Sequence, residues 1–304
     1  MMNYVTLTFS KLRSNMSKRS DHMTTHSITS TTGTHDLRLL RSLAEEGKLV
    51  FSTSEAREAA VRAGIPKGYL YELLHHMAQS GLLTRLRRGL YATSEVASGR
   101  PQAHPFAIAT HLVRPSAISH WSALSHHGLT DQVPRVVTAF TPKKVVTPSM
   151  RSPDHNGSAH HAWKIAGVAY EYVSVRKDHF FGIEQVWVDE DSRVPIADRE
   201  RTVLETFISP RRFGGIGMAL GLIESHAQQL QLDRLVEYAL RYGKISVAKR
   251  LGWALDRAHV ADSLLRPLQA VPATRYYSLD PARPRRGPCD NRWMIQDNLR
   301  FRSG

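Results

Sequence analysis

A chain of 304 residues with 41% apolar content can bury a sizeable core in two domains, and no apolar run reaches the roughly 20 residues a membrane-spanning helix needs. A formal net charge of +14 favours an anionic partner, nucleic acid ahead of an anionic membrane surface. Its single cysteine, Cys289, rules out an internal disulfide framework and Cys-rich zinc sites, and the composition suits a reducing cytoplasm.

Residues 1–33 are rich in Ser and Thr and carry Lys11, Arg13, Lys18 and Arg19 against one acid, Asp21. They lack the apolar core of a secretory signal and read as a disordered basic extension. The same composition suits a transit peptide, and Met16 and Met23 are alternative starts.

A helix is predicted from Asp36 to Glu46, with Leu37, Leu40, Leu43 and Ala44 at helical spacing and Gly47 as its stop. Lys48 to Phe51 suits a short strand. Ser52 and Glu55 have the spacing of a capping box, opening a helix that runs to Ala63. A third helix follows the turn at Gly64 and runs from Pro66 to Ser80, with Leu70, Leu73, Leu74 and Met77 on its buried stripe. Lys67, Gly68, Tyr69, Glu72, His75, His76 and Gln79 lie away from that stripe, and Gly81 ends the helix. Two short strands, Leu82 to Leu86 and Leu90 to Ala92, then flank a turn made of Arg87, Arg88 and Gly89. Three helices and a hairpin within residues 34–95 predict a winged helix-turn-helix.

A linker from Thr93 to Pro105 leads to a larger domain over residues 96–304. Helices are expected from Pro105 to Leu112 and from Ser119 to His127, the second packed through Ala117, Ile118, Trp121, Ala123 and Leu124. Arg135 to Thr141 is β-rich, residues 147–160 form a loop, and Trp163 to Val175 alternates like two strands turning at Gly167. More strand and turn is expected from Val186 to Ile196. Helices then dominate: Asp198 to Phe207, Met218 to Gln229, Leu232 to Tyr242 and Ser246 to Ala258. The tail from Pro281 holds Arg283, Arg285, Arg286, Arg292, Arg300 and Arg302, which suit a wider electrostatic footprint on DNA; Trp293, Met294, Ile295 and Leu299 suit a docked terminal segment. The expected fold class is α+β: an N-terminal winged helix-turn-helix, then a larger mixed α/β domain ending in helices.

The first turn of a recognition helix meets base edges, which makes Lys67 and Tyr69 the expected base or phosphate contacts, with His75 and His76 further along. Arg85, Arg87 and Arg88 belong to the wing, where each neutralises a phosphate or enters a minor groove. The alternative use of such a unit is protein binding, with its arginines solvated.

Other chemistry is weaker. The 16 histidines include the pairs His75-His76, His126-His127 and His160-His161. Adjacent histidines do not share a helix face, and no H-E-x-x-H motif occurs, so no metal or cofactor is expected. Ser119-His120 and Ser125-His126 lack a nucleophile elbow and read as packing. Asp198, Glu200 and Glu205 are the acids a metal-dependent nuclease, the alternative function, would use. Asp198 as an N-cap with an internal Glu–Arg network is the favoured reading, and it leaves the chain without catalytic residues. Gly214-Gly215-Ile216-Gly217 lacks the Walker lysine and reads as a tight inter-helix turn.

Several blocks carry a family resemblance. They are Gly81 to Tyr91; Ile118 to Leu124 followed by His127-Gly128-Leu129; Asp198-Arg199-Glu200-Arg201-Thr202 with Gly214-Gly215; and Tyr277 to Pro281 with Asn291-Arg292-Trp293. In this order the chain resembles the AbiEi-type antitoxins, transcriptional regulators linked to bacterial abortive-infection systems, over nearly everything after residue 34. The resemblance implies a cytoplasmic autorepressor whose winged helix binds inverted repeats in double-stranded promoter DNA. It implies a functional partner, a nucleotidyltransferase-like toxin encoded in the same operon, which the C-terminal domain neutralises without requiring a stable complex. The wing arginines carry over as Arg85, Arg87 and Arg88. The basic extension and the arginine-rich end depart from the family pattern.

Overall fold

The computed structural model describes residues 28–94, 103–147 and 162–299. The expected basic extension up to residue 27, most of the linker, His160-His161 with nearly all of their loop, and Arg300 and Arg302 lie outside the described residues.

The first helix, α1 (Ile28–Ala44), starts earlier than predicted. Ser and Thr cost only a few tenths of a kcal/mol each in a helix, and propagation from an anchored segment is cheap. Leu39, Leu40 and Leu43 supply that anchor; Leu37, predicted on the buried stripe, is 68% exposed. β1 (Val50–Ser52) leads into α2 (Thr53–Arg62). The predicted capping box forms: the Ser52 hydroxyl accepts from the Glu55 amide at 3.2 Å, and the Glu55 carboxylate accepts from the Ser52 amide at 2.7 Å. Pro66 does not open the third helix. It is extended, and a 3-10 turn over Lys67–Tyr69 precedes α3 (Leu70–Gln79).

The hairpin comprises β2 (Leu83–Arg87) and β3 (Leu90–Thr93). Its turn is therefore shorter than expected, with Arg87 inside the strand and Gly89 at φ +73°. A β-bulge lies between Arg85 and Arg87. With β1 the hairpin makes a three-stranded sheet in the order β1-β3-β2.

That sheet buries both faces. Phe51 and Leu83, with half-buried Tyr91, pack into the core of α1–α3. Val50, Leu86, Leu90 and Ala92 face the opposite way and join a second core with Ile108, Ala109 and Leu112 of α4 (Pro105–Leu112). The period-2 alternation of strand side chains thus divides one short sheet between two cores.

After α4 come β4 (Ala117–Ile118), α5 (His120–His126), β5 (Val136–Thr141), β6 (Trp163–Ile165), β7 (Val168–Ser174), β8 (Ile183–Trp187) and β9 (Arg193–Ala197). Ala117 and Ile118 are strand residues, correcting the expected helical register around them. The six-stranded sheet has the order β6-β7-β5-β4-β9-β8 and is mixed: β4 runs antiparallel to β5 and parallel to β9. Gly167 makes the predicted turn between β6 and β7 at φ +80°.

A helical layer follows: α6 (Arg199–Ile208), α7 (Gly217–His226), α8 (Leu232–Tyr242), α9 (Ile245–Arg257) and α10 (Asp262–Gln269). Three two-residue strands, β10 (Tyr277–Ser278), β11 (Cys289–Asp290) and β12 (Ile295–Gln296), form a small sheet that docks the tail. Trp293 is fully buried there, and Gly252 of α9 makes room for it: a Cβ at that position would lie 2.0 Å from the indole. Arg292, expected among DNA-facing charges, instead binds Asp256 at 3.0 Å and Asp262 at 2.6 Å.

An ionic network joins α5 to α6 beneath these helices. Arg201 is 1% exposed, with its guanidinium 5.0 Å from the Phe140 ring centroid and 4.7 Å from that of Phe181. It donates to the His179 carbonyl at 2.9 Å and to Glu205 at 3.4 Å. Glu205 accepts from the His120 amide at 3.0 Å, and the His120 ring lies 2.9 Å from the Ser119 hydroxyl. The network holds His120 at φ +54°, an uncommon conformation for a non-glycine residue.

The shared sheet predicts that Leu90→Ala costs about 2–5 kcal/mol and loosens both cores together. All five tryptophans lie beyond residue 103, so their fluorescence reports only the larger part of the chain. Urea transitions followed by tryptophan fluorescence and by circular dichroism are expected to shift together. An unmoved fluorescence transition would contradict the shared core.

A second prediction concerns pH. Burial holds His104, His111, His120 and His126 below the ordinary imidazole value of 6.5. The unfolded chain therefore binds more protons near that value, and stability present above it is lost as pH falls. The urea midpoint is expected to drop between about pH 7.5 and about pH 6, with a shallower drop in His120→Gln; a flat profile would contradict this.

Candidate nucleic-acid interface

The third helix presents one uncovered stripe. Tyr71, His75 and Gln79, spaced by four residues, are all exposed with Glu72 and His76 beside them, and exposed Lys67 precedes them in the 3-10 turn. Of the residues expected to touch DNA, Lys67 and His75 lie with this stripe. Tyr69 does not, and His76 is exposed beside the stripe with its ring turned toward α1. Tyr69 is half-buried with its ring edge-on to His35 at 5.7 Å, and the His76 ring nitrogen lies 3.5 Å from a carboxylate oxygen of buried Asp36.

Tyr71 and Arg57 were not singled out from the sequence. Tyr71 is 63% exposed, and its hydroxyl accepts from the Arg57 guanidinium of α2 at 2.9 Å. The signal that could have found Tyr71 is its position four residues before His75, off the leucine stripe. Its partnership with Arg57 depends on the packing of α2 against α3 and has no local signature.

The hairpin arginines are exposed and divide between the sheet's faces. Arg85 pairs in register with Tyr91, on the face that packs against α1–α3. Arg87 pairs with Leu90, on the α4 side, and donates to the Arg88 carbonyl at 3.4 Å. The bulge between them produces the divergence. Arg88 and Gly89 form the tip, and the Gly89 carbonyl accepts from the Thr53 amide at 3.0 Å, tying the turn to the start of α2. The ion pairs of this unit join Arg41 to Glu45 and both Lys48 and Arg62 to Glu46. Among the described residues no carboxylate pairs with Arg85, Arg87 or Arg88, so their charge remains available to an anion.

The acids weighed for nuclease chemistry have other partners. Asp198 caps α6 by accepting from the Arg201 amide at 2.8 Å and also accepts from the Tyr238 hydroxyl at 2.8 Å. Glu200 accepts from the Gln231 amide at 2.8 Å, and Glu205 holds Arg201 and His120. Each is at least nine-tenths buried. Among the described residues no group of three or more His, Cys, Asp or Glu is arranged to hold a metal ion, and no helix is long and apolar enough to cross a membrane.

Gly214 and Gly215 make the predicted turn after α6, at φ +77° and +119°. A Cβ on Gly215 would lie 3.0 Å from the Asp280 carboxylate, which explains the close approach there. The turn and the Tyr277–Pro281 block therefore meet in space.

No curated protein matches the chain. A crystal structure of the RV2827C protein from Mycobacterium tuberculosis is similar with a TM-score of 0.57 at 16% identity, covering 86% of this chain and 90% of that one. At that identity the likeness is one of fold. Residues 38–94 match the family model described as "Transcriptional regulator, AbiEi antitoxin". That segment runs from α1 through β3 and contains the uncovered stripe and the arginine hairpin. Over residues 38–94, about a fifth of its length, the chain is similar to the AbiEi antitoxin family of transcriptional regulators.

Proposed function

We propose that the chain is a DNA-binding autorepressor and the antitoxin of a toxin–antitoxin operon of the abortive-infection type. In this reading α1–α3 and the β2–β3 hairpin act as a winged helix-turn-helix. The observation that carries it is the uncovered face of α3 beside an arginine hairpin without carboxylate partners among the described residues, all within the segment matched to the regulator family.

The α3 stripe enters the major groove, with Lys67 at its leading end and His75 one turn beyond Tyr71. Arg85 and Arg88 sit on phosphates beside the groove, and Arg87 lies toward the larger part of the chain. Two copies read the two halves of a promoter inverted repeat, matching DNA symmetry with protein copies. The larger part supports neutralisation of a nucleotidyltransferase-like toxin in the same cytoplasm, with direct contact not required. No catalytic step is assigned: Asp198, Glu200 and Glu205 are committed to caps and buried pairs, which supports a non-enzymatic role.

Fluorescence anisotropy on a labelled duplex from the region upstream of the gene tests the reading. Wild-type protein is expected to bind with a steep salt dependence. Arg85→Ala with Arg88→Ala is expected to flatten the log–log slope by about two and weaken binding to all sequences alike. Arg87→Ala is expected to change it less. Wild-type protein that fails to bind at low salt, or a slope unchanged in the double variant, would sink the assignment.

A further inference from the structure

Arg57 and Tyr71 stand out because two exposed side chains on different helices are bonded to each other at 2.9 Å. Tyr71 is the second residue of α3, in the turn that reaches deepest into a groove when such a helix binds DNA. Arg57 lies one helical turn beyond Ser54 on the exposed side of α2. Glu58 and Glu72 are exposed nearby in sequence, yet no ion pair joins either to Arg57 among the described residues, and the guanidinium donates to the phenol oxygen.

α2 also contacts the hairpin. Its first residue, Thr53, is tied to Gly89 at the hairpin tip. A path therefore runs from Arg88 and Gly89, through the start of α2, to Arg57 and onward to Tyr71 and His75. α2 is thus tied to the hairpin through Thr53 and to the recognition helix through Arg57. A guanidinium has five N–H donors in a planar fork, and holding it with one neutral acceptor fixes its direction while leaving its charge uncompensated.

We propose that Arg57 and Tyr71 form a single DNA-reading element: the Tyr71 ring contacts bases in the groove, and its hydroxyl positions Arg57 on the phosphate at the groove's edge. The phenol acts on Arg57 as a positioning group and touches DNA through its ring. This assignment rests on the DNA-binding reading above and adds to it a phosphate contact from α2 coupled to a base contact from α3.

The test uses the full chain and duplexes selected from a random library by the wild-type protein, with anisotropy measured across a salt series. Arg57→Ala is expected to weaken binding about tenfold and lower the salt slope by about one, as expected for one lost phosphate contact. Arg57→Lys is expected to restore the slope but not the full affinity, because a flexible ammonium replaces a held fork. Tyr71→Phe keeps the ring and removes the hydroxyl. In that background Arg57→Ala is expected to cost clearly less than in the wild type, the non-additivity of a coupled pair. Tyr71→Ala is expected to broaden the selected sequences. Both residues are exposed, so melting temperatures are expected to stay near wild type, separating these effects from folding.

If the wild-type protein binds while Arg57→Ala leaves the slope unchanged, or the two substitutions are additive, the inference is overturned and the DNA-binding reading stands. If the wild-type protein selects no duplex, that reading fails first.

Discussion

A three-stranded sheet too small to own a core is shared by two. Its strands are short, and their alternate side chains enter different clusters: Phe51 and Leu83 on one side, Val50, Leu86, Leu90 and Ala92 on the other. Each buried aliphatic side chain contributes roughly 1.5–3 kcal/mol by leaving water. Neither face can be exposed without losing several such contributions. The unit that carries α3 and the arginine hairpin is therefore packed against α4 and the larger part of the chain through a continuous apolar core.

That arrangement decides which surface remains for a partner. The sheet face that a free-standing unit of this topology could offer to solvent is closed by α4. What stays open is the opposite side: the α3 stripe, the exposed side of α2 and the hairpin tip. Glu45, Glu46 and Glu55 of this unit are occupied with Arg41, with Lys48 and Arg62, and with the Ser52 cap, Asp36 is buried, and Glu58 and Glu72 are exposed. Among the described residues none of these acids pairs with a hairpin arginine, which concentrates positive charge beside α3. In the larger part, charge is handled in the opposite way. Arg201, Glu205 and Asp198 are drawn inward and matched with partners, so they fix helix placement rather than attract a ligand.

The sequence was most readable where structure is decided within a few residues. The capping box at Ser52 and Glu55, the leucine stripe of α3 and the turn at Gly167 depend on local spacing and appear as predicted, and Gly89 takes the expected positive φ in a turn one residue shorter than expected. The end of the chain was readable as a docked segment because Trp293 and Ile295 are too apolar to leave in water, though the role of Gly252 in admitting the indole was not. Legibility fell where a neighbour outvotes local pattern. Tyr69 and His76 lie off the α3 stripe by count, but His35 and Asp36 of α1 claim them. The bulge that separates Arg85 from Arg87 adds one residue to a strand without a glycine or proline to announce it. Ala117 and Ile118 suit a helix in isolation and become strand because β5 and β9 flank them. Tyr71 lies off the leucine stripe, but its partner Arg57 is set by the packing of α2 against α3, which no local pattern records.

The central claim is that DNA is gripped by the uncovered face of α3 and the β2–β3 hairpin. Hydrogen–deuterium exchange on the full chain, with and without a duplex from its own upstream region, tests it most directly. Added protection is expected at the α2 start, along Lys67–Gln79 and at the hairpin tip around Arg88 and Gly89. Protection confined to residues beyond 103, with these segments unchanged while the duplex is bound, would contradict it.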